Sequence, residues 1–446
     1  MPFKDECGVF GVFNNSNASV LTTLGLHALQ HRGQEAAGIV SYDGEFHVEK
    51  TLGLVGDYFN REDVIQILPG DCAIGHNRYS TSGNINFLNN VQPLFAEFSR
   101  GGFAIAHNGN LVNEKVLRKE LIESGAIFQS TSDTEVFIHL MARSRKRSVV
   151  DRFKEALLQV QGAFSIVALT TKKMIGARDP RGFRPLSIGI KDDAYFLSSE
   201  TCAFDVTGAN FVRDVEPGEI VVITKDGIQS IKYIEEDSHF CIFEFVYFSR
   251  PDSNLDGKNV HGVRKEFGKS LARENIVDAD IVVPVPDSGV PAALGFSIES
   301  GVPFDLGITR NHYVGRTFIE PEEHIRLLST KMKHNANSSV LKDKKIALID
   351  DSIVRGTTSQ KIVDMVRNAG VKEIHLYIAS PPIVNSCYYG INTPEKSKLI
   401  ANRMTVEEMR KHLNVDSLSF LSIDEMHKAV NMKGTCDACF SNNYPL

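Results

Sequence analysis

One pattern constrains the fold of this chain more than any other: an apolar strand that runs into a polar turn and then into a helix. The pattern occurs twice in the second half. Asp280–Val285 precede a Pro-Asp-Ser-Gly turn and a helix that starts at Pro291, where proline suits the first helical turn. Lys345–Ile349 precede the turn Asp350–Thr358 and a helix that Gly370 closes. Because strands alternating with helices build parallel sheets, the second half is predicted to be an α/β unit with helices on both faces.

The turn Asp350–Thr358 has the composition of an anion site. It lies where a strand passes into a helix, and there backbone N–H groups and the helix dipole favour a phosphate. Gly356 permits close backbone approach, and the two threonines after it add hydroxyl donors. Asp350 and Asp351 can accept hydrogen bonds from vicinal sugar hydroxyls. The alternative is a surface turn with a Ser/Thr helix cap, but the two acids before the turn favour a phosphosugar.

A second turn, Pro286–Val290, has the same strand-to-helix position. Alone it would be an ordinary turn, but beside the first it could hold another phosphate or a metal-bound pyrophosphate. Residues 311–333 are predicted to form a long mobile loop that contains Arg316. This loop either closes over an anionic ligand or lies solvated on the surface. The two turns predict a substrate with two separate phosphate groups.

The segment Asp-Asp-Ser-Ile-Val-Arg-Gly-Thr-Thr at 350–358 resembles the 5-phosphoribosyl 1-diphosphate (PRPP) signature of type I phosphoribosyltransferases. The resemblance implies that the acids bind the ribose hydroxyls, that the Arg-Gly-Thr-Thr turn holds the 5-phosphate, and that the earlier turn holds pyrophosphate with magnesium. The residues implied to bind PRPP are Asp287, Ser288, Arg316, Asp350, Asp351, Ser352, Val354, Arg355, Gly356, Thr357 and Thr358. The implied magnesium ligands are Ser288, Asp350 and Asp351.

The first half has a different pattern of apolar and polar residues, which predicts a separate domain. At 446 residues the chain has about three times the usual domain length, so two or more units are expected. Apolar runs such as Cys7–Phe13, Phe103–His107 and Ala163–Leu169 predict a sheet-rich α+β unit, with a helix capped by Ser132–Glu135. The polar stretch from Glu235 marks the change. The predicted division is a leader at residues 1–6, a first domain at 7–235 and a second at 236–446.

Cys7 is the candidate nucleophile of the first domain. It begins a strand close to the start of the chain, a suitable place if Met1–Glu6 were removed to make it the N-terminal residue. A free α-amine has a pKa near ~7.7–8.0, so a fraction is neutral at pH 7 and can take the thiol proton. We therefore predict cleavage between Glu6 and Cys7. Taken alone, Cys7 would be interpreted as a structural cysteine.

Further segments supply the groups that such a nucleophile needs. Arg78 can pair bidentately with an amino-acid carboxylate. Asn108 and Gly109, at the end of a strand, offer an amide donor and a backbone N–H that suit an oxyanion hole. Asp133 can receive a substrate ammonium, although helix capping is its default role. Together they predict a site that binds an amino acid and stabilises a tetrahedral intermediate.

Five segments, taken in order, resemble an N-terminal-nucleophile (Ntn hydrolase, class II) glutamine amidotransferase domain, which has a layered αββα fold: Cys7–Gly11, His31–Glu35, His76–Thr81, His107–Asn110 and Ser132–Glu135. The resemblance implies that Cys7 attacks the glutamine amide while Asn108 and Gly109 stabilise the oxyanion. It also implies that Arg78, Thr81 and Asp133 hold the amino-acid end. The histidines of these segments are assigned hydrogen bonding in the core or in loops rather than catalysis.

The two halves together resemble the glutamine phosphoribosylpyrophosphate amidotransferase family. The implied chemistry is release of ammonia from glutamine, passage through an internal channel and attack at C1 of PRPP, giving 5-phosphoribosylamine, glutamate and pyrophosphate at the entry to purine biosynthesis. The resemblance also implies a homotetramer and feedback inhibition by purine nucleotides. Two alternatives are another class II amidotransferase and a non-catalytic sensor of PRPP or purines. The PRPP signature argues against the first, and Cys7 against the second.

Four of the seven cysteines match the pattern of one branch of that family, which carries a [4Fe–4S] cluster: Cys241, Cys387, Cys436 and Cys439. Buried thiols or zinc are the alternative. Cys72 and Cys202 are predicted to be core residues. An odd cysteine count in a long chain without a signal peptide argues against a disulfide framework.

Charge and hydropathy exclude two classes of partner. The chain has 49 Lys and Arg against 55 Asp and Glu, a net charge of −6, which gives no broad electrostatic case for nucleic acid. No apolar run approaches the ~20 residues that a membrane span needs. A cytoplasmic protein with small-molecule ligands is expected.

Overall fold

The computed structural model describes residues 7–79, 88–99, 101–275, 278–311, 334–391 and 393–445. In its first part the strands are β1 (Gly8–Phe13), β2 (Ala36–Tyr42), β3 (Phe46–Leu52), β4 (Cys72–Arg78), β5 (Leu94–Phe98), β6 (Gly101–Leu111), β7 (Gly162–Thr170), β8 (Met174–Arg178), β9 (Ser187–Lys191), β10 (Ala194–Ser198), β11 (Asn210–Asp214), β12 (Glu219–Thr224) and β13 (Gly227–Lys232). The helices of this part are α1 (Ala18–Ala28), α2 (Val55–Tyr58), α3 (Glu62–Gln66), α4 (Glu114–Glu123), α5 (Glu135–Arg143), α6 (Val149–Leu157) and α7 (Cys202–Thr207), with a 3-10 turn at Leu88–Asn90.

These strands form two antiparallel sheets that pack face to face. One has the order β11-β9-β10-β1-β4-β2-β3 and the other β13-β12-β8-β7-β6-β5. The layer between them is apolar, and it joins Val9 and Ile74 of the first sheet to Ala106 and Val167 of the second. Burial of these inward-facing side chains holds the sheets together.

Helices cover the outer face of each sheet. Leu26 of α1 and Phe204 of α7 belong to the cluster on the seven-stranded sheet. Leu121 of α4, Phe137 of α5 and Phe153 of α6 belong to the cluster on the six-stranded sheet. The result is the αββα layering that the resemblance implied.

The second part has the strands β14 (Phe240–Cys241), β15 (Asn254–Leu255), β16 (Lys258–Asn259), β17 (Ile281–Pro284), β18 (Ile308–Arg310), β19 (His334–Ala336), β20 (Lys345–Asp350), β21 (Glu373–Ile378), β22 (Ser417–Phe420) and β23 (Thr435–Cys436). Its α-helices are α8 (Val260–Glu274), α9 (Val290–Ser300), α10 (Ser338–Leu341), α11 (Thr357–Asn368), α12 (Val406–Leu413), α13 (Ile423–Val430) and α14 (Ala438–Ser441). A π-helix spans Glu244–Phe248, and 3-10 turns span Lys396–Lys398 and Ile400–Asn402.

The centre of this part is a parallel sheet of order β17-β20-β21-β22. Helices α8, α9 and α13 pack on one face, and α11 and α12 on the other. The open parallel sheet predicted from the strand–turn–helix pattern is therefore confirmed. The predicted division at residues 235 and 236 falls between β13 and β14.

Buried ion pairs join the two parts. The Arg32 guanidinium donates to Glu200 of the first part and, at 2.6 Å, to Glu244 of the second. Arg184 also donates to Glu244, at 3.2 Å, and all four side chains are buried. Arg178 makes a bidentate pair with Asp256 at 2.8 and 2.9 Å. Because each charge has a close opposite charge, the interface is a fixed, desolvated contact.

Candidate active sites and a four-cysteine pocket

Strand pairing in the first domain places Cys7 beside Arg78 and Tyr79. Cys7 directly precedes β1, and Gly8 lies opposite Asn77 of β4. The Cys7 thiol donates to the Tyr79 carbonyl at 3.4 Å, and the Tyr79 N–H lies 3.4 Å from the same sulfur. The candidate nucleophile is thus held at the end of the central strand, buried but next to a pocket.

This pocket, called the nucleophile pocket below, is lined by Cys7, Arg78, Tyr79, Gln92, His107, Gly109, Ser132 and Asp133. Four predicted residues therefore meet there: Cys7, Arg78, Gly109 and Asp133. Tyr79, Gln92 and Ser132 were not predicted. Tyr79 and Ser132 adjoin predicted residues in the sequence, but Gln92 carries no local signal, because only the packing of β5 and β6 brings it near. Thr81 lies outside the described residues.

Burial keeps the Cys7 thiol protonated. Desolvation raises the pKa of Cys7 to about 12, and the Tyr79 backbone and the Arg78 charge oppose this only in part. Burial also lowers the pKa of Arg78, although Cys7, Glu35 and Asp133 oppose that effect. At neutral pH the thiol therefore needs a base to become a nucleophile.

Asn108 and Gly109 have the features of an oxyanion hole. The side-chain nitrogen of Asn108 is buried and has no hydrogen-bond partner among the described residues. Gly109 has φ +144°, and a Cβ there would lie 2.0 Å from the Ala163 carbonyl oxygen. A buried donor without a partner is costly unless a ligand satisfies it, so Asn108 suits a transient oxyanion.

The start of α5 agrees only in part with the cap expected at Ser132–Glu135. Thr134 precedes α5 in a helical conformation and makes no side-chain cap bond, but the Ser132 hydroxyl accepts from the Thr134 N–H at 3.4 Å. Asp133 accepts from the Leu111 N–H at 3.0 Å and lies 3.8 Å from Nδ1 of His107. This tertiary contact with β6 holds Asp133 beside the pocket.

The histidines of the predicted segments make hydrogen bonds in the core and at the domain junction, and His107 also lines the nucleophile pocket. Nε2 of His76 lies 3.1 Å from the His107 carbonyl, and burial lowers the pKa of His76 to about 3. Burial also lowers the pKa of His107. His31 lies 2.6 Å from Glu200 at the domain junction. These contacts agree with the predicted hydrogen-bonding roles.

In the second domain, two acids lie at the carboxyl edge of the parallel sheet. Asp350 ends β20, and β17 runs beside it, so the turn after β17 opens at the same edge. The Ser288 hydroxyl of that turn bonds the Asp351 carboxylate and lowers its pKa. Asp350 accepts from the Asp351 N–H at 2.9 Å. The predicted magnesium ligands Ser288, Asp350 and Asp351 are therefore brought together.

When both are ionised, these two buried acids repel each other, and the charge of Arg264 offsets only part of this at Asp351. Burial raises the pKa of Asp350 well above its ordinary value, and the Asp351 charge raises it further. Burial also raises the pKa of Asp351, while Ser288, Ser352 and the charge of Arg264 oppose the shift. Two adjacent buried carboxylates favour a cation beside them.

The turn after the acids presents a phosphate cradle. Gly356 has φ +80° and precedes α11, and no side chain caps this helix end within the described residues. Nε of Arg355 is buried and has no partner in the same part of the chain. Thr357 and Thr358 are exposed at the first turn. The free N–H groups, the guanidinium and the hydroxyls can all donate to one phosphate.

The side chains of two predicted PRPP residues have other surroundings, and a third predicted residue is not described. The Val354 side chain is buried in the core, so only its backbone is available to a ligand. Asp287 is exposed and pairs with Arg310. Arg316, with residues 312–333 of the predicted loop, lies outside the described residues.

All four predicted cluster cysteines line one pocket, called the four-cysteine pocket, together with Phe183, Arg184, Tyr389, Ile391, Ala438 and Tyr444. Pairing of β14 with β23 sets Cys241 opposite Cys436. The Tyr389 N–H donates to the Cys387 sulfur at 3.2 Å. Burial and then the neighbouring thiols raise the pKa of Cys439. Cys72 and Cys202 are buried elsewhere, as predicted.

The described residues contain no group of three or more Cys, His, Asp or Glu side chains arranged to hold a metal ion. Within the described chain, no helix is both long and apolar enough to cross a membrane.

Two domain families match the chain, a glutamine amidotransferase domain at residues 76–206 and a phosphoribosyl transferase domain at residues 268–382. With the two sites above, these matches define the class of protein: a glutamine amidotransferase joined to a phosphoribosyltransferase.

Full-length relatives narrow the class further. The amidophosphoribosyltransferase of Rhizobium etli is 52% identical over 99% of this chain and 92% of its own length. That of Bacillus subtilis is 47% identical, with 99% and 94% covered. The solved glutamine PRPP amidotransferase from B. subtilis, complexed with ADP and GMP, has a TM-score of 0.92 and 46% identity over 98% of this chain and 97% of that one. The chain belongs to the amidophosphoribosyltransferase family.

Proposed function

We propose that the chain hydrolyses glutamine at Cys7 and delivers the ammonia to C1 of PRPP, forming 5-phosphoribosylamine, glutamate and pyrophosphate. One observation carries the proposal: a single chain joins a buried cysteine pocket to a two-acid phosphate cradle through a fixed interface. Membership in the amidophosphoribosyltransferase family agrees with this reaction.

In the first half-reaction, Cys7 attacks the carboxamide carbon of glutamine. Its thiol proton passes to the α-amine, which exists if residues 1–6 are removed. The carbonyl oxygen gains the electron pair and is stabilised by the Asn108 amide and the Gly109 N–H. When the intermediate collapses, the C–N bond breaks and the α-ammonium returns its proton to the leaving nitrogen, so ammonia departs and a thioester remains. Water then hydrolyses the thioester to glutamate and the free Cys7 thiol. Arg78 pairs with the substrate carboxylate and Asp133 with its ammonium.

In the second half-reaction, the lone pair of ammonia attacks C1 of PRPP and the bond from C1 to the pyrophosphate oxygen breaks. The product ammonium then loses one proton. The helix end after Gly356 holds the 5-phosphate, and Asp350 and Asp351 orient the ribose hydroxyls. Enclosure of the nitrogen between the sites prevents its protonation in bulk water, where ammonium predominates at pH 7.

Magnesium is proposed to lie beside Ser288, Asp350 and Asp351, since the raised pKa values of the two acids mark a place for a cation. When bound, it would neutralise charge on the leaving pyrophosphate. Equilibrium binding of PRPP with and without magnesium tests this assignment. The assignment would be refuted if PRPP bound tightly without magnesium and if Asp351→Asn did not weaken that binding.

A [4Fe–4S] cluster is proposed for the four-cysteine pocket, because four cysteines line it and their positions match the pattern of the cluster-containing branch of the family. Its role would be structural, tying the C-terminal segment to both domains. Iron and sulfide content with the visible absorption spectrum tests this proposal. Anaerobic protein that contains zinc or no metal would overturn it.

Removal of residues 1–6 is proposed because Cys7 otherwise lacks a free amine. The intact mass of active protein measures this directly, and an active form that still begins at Met1 or Pro2 would refute it.

Regulation is proposed from one solved relative, and assembly from the family resemblance. The solved B. subtilis protein is complexed with ADP and GMP, which suggests purine nucleotides as inhibitors here. A homotetramer is proposed as the assembly. Inhibition assays with purine nucleotides and sedimentation analysis test the two proposals separately.

The overall reaction is tested by measuring glutamate and pyrophosphate together. Equal amounts should form from glutamine and PRPP, and pyrophosphate formation should stop when both glutamine and ammonia are omitted. Glutamate formed without any dependence of pyrophosphate release on a nitrogen donor would contradict the proposal.

A further inference from the structure

A cross-domain contact lies directly behind the candidate oxyanion hole. The Asn110 side chain, one residue beyond Gly109, donates from Nδ2 to the Tyr388 carbonyl of the second domain at 2.9 Å. Gly390, two residues after Tyr388, lies against the Gly109 backbone. A Cβ at residue 390 would lie 3.1 Å from both Cα and the carbonyl carbon of Gly109. Two backbone segments that are distant in sequence therefore meet at this glycine.

The segment from Cys387 to Gly390 is itself firmly held on its other side. The buried Arg184 guanidinium donates to the Tyr389 carbonyl at 2.7 and 3.0 Å. The Phe183 ring stacks on Tyr389 with centroids 4.4 Å apart. Cys387 lines the four-cysteine pocket. The segment is therefore a fixed support and not a free loop.

On its opposite side, Gly109 is confined by the first domain. It pairs with Phe164 of β7, and the Ala163 carbonyl would lie 2.0 Å from a Cβ at residue 109. The Cα and carbonyl carbon that follow the Gly109 N–H are thus confined between β7 of one domain and the Cys387–Gly390 segment of the other. Small errors in donor placement reduce catalysis strongly, because the donor must match the oxyanion.

We propose that Asn110 is a positioning residue for glutamine hydrolysis, acting through its bond to the Tyr388 carbonyl to hold the Gly109 N–H in place. The second domain would thereby complete the oxyanion hole of the first. This inference rests on the proposed function, since it assumes attack by Cys7 and an oxyanion at Gly109.

The test measures steady-state glutamine hydrolysis of the full chain with saturating PRPP. Asn110→Ala and Asn110→Asp both remove the donor, and each should lower kcat about 10-fold while the KM for glutamine stays unchanged. Transfer to PRPP with ammonia as the nitrogen source should keep its rate, because that reaction needs no oxyanion at Gly109. Alkylation of Cys7 by iodoacetamide should also keep its rate.

Asn113→Ala is the matched control. Its amide donates to the Gln159 carbonyl at 3.0 Å and accepts from the Gln161 N–H at 2.9 Å, all within the first domain. This variant should match the parent in kcat and in KM. If loss of any side-chain hydrogen bond near β6 lowered kcat, Asn110→Ala and Asn113→Ala would lower it alike.

Gly390→Ala provides an independent variant, because its methyl group would press on the Gly109 backbone. It should also lower kcat without changing ammonia-dependent transfer. The inference is overturned if the Asn110 variants and Gly390→Ala keep kcat. It is equally overturned if they raise KM or lose ammonia-dependent transfer together with kcat. Glutamine hydrolysis that survives Cys7→Ala would instead refute the proposed function itself.

Discussion

The nucleophile pocket and the Asp350–Asp351 edge differ in how their charges are balanced. In the first, Arg78 and Asp133 carry opposite charges beside Cys7. At the second, two acids are buried side by side, and burial raises the pKa of both. Opposite charges are therefore built into the first site, whereas at the second site magnesium is proposed to offset the charge of the acids.

This difference matches the ligands proposed for each site. Glutamine is a zwitterion, and fixed opposite charges can hold it without an added ion. PRPP is strongly anionic, and at a site that contains carboxylates the proposed magnesium would offset the charge of both. The two half-reactions are thus proposed to take place in sites whose charges are balanced in different ways.

The largest predicted effect separates the two sites by removing the nucleophile. Cys7→Ala should reduce glutamine-dependent transfer on the order of 10⁴-fold or more, because no other group can form the thioester. Transfer with ammonia should persist, since the second domain is untouched. The measurement is pyrophosphate release with each nitrogen donor, and Cys72→Ala serves as the buried-cysteine control. Loss of both activities in Cys7→Ala would argue against separate sites.

The next effect tests whether the domains form one cooperative unit. Arg32→Ala leaves Glu200 and Glu244 without their shared buried partner, and should cost about 3–5 kcal/mol in the free energy of unfolding. The midpoint of denaturant unfolding measures this. Arg61→Ala is the control, because Arg61 pairs with Asp63 on the exposed surface and should leave the midpoint unchanged. Equal midpoints for the two variants would show that the buried ion pairs of Arg32 do not stabilise the interface.

A third variant perturbs only the edge that needs a cation. Asp351→Asn should lower pyrophosphate release about 100-fold, because it removes a proposed contact with magnesium and ribose. Glutamine hydrolysis without PRPP should be retained. Asp364→Asn, an exposed acid on α11, is the matched control. An unchanged rate in Asp351→Asn would show that the edge is not the PRPP site.

The smallest predicted effect is a pH dependence specific to the first domain. The folded-state pKa of His76 is about 3, against an ordinary value of 6.5. The unfolded chain therefore binds a proton below pH 6.5 that the folded chain does not, so stability is complete above 6.5 and falls as the pH drops. The contribution is about 1.4 kcal/mol per pH unit, or about 2 kcal/mol at pH 5.

Denaturant titrations between pH 5 and 7 measure this slope. His76→Gln should flatten it, whereas the exposed His412→Gln should not. A parent slope that His76→Gln leaves unaltered would assign the acid sensitivity to other groups.

The sequence predicted most of the architecture because the pattern of each half is local. Strand–turn–helix order specifies the parallel sheet, and apolar runs mark the strands of the sandwich, such as β6 and β7. Helix capping was the default role expected for Asp133, but the bond that this residue accepts from the Leu111 N–H is tertiary. Gln92 and the Asn110–Tyr388 bond were likewise beyond local patterns, because distant segments create them.

The account's central claim is that nitrogen released at Cys7 reaches PRPP without leaving the protein. The most direct test uses glutamine labelled with ¹⁵N in its amide, together with PRPP and an excess of unlabelled ammonium, and measures ¹⁵N in 5-phosphoribosylamine by mass spectrometry. The account predicts a product enriched in ¹⁵N far above the bulk ammonium. A product with the isotopic composition of the bulk ammonium would contradict it.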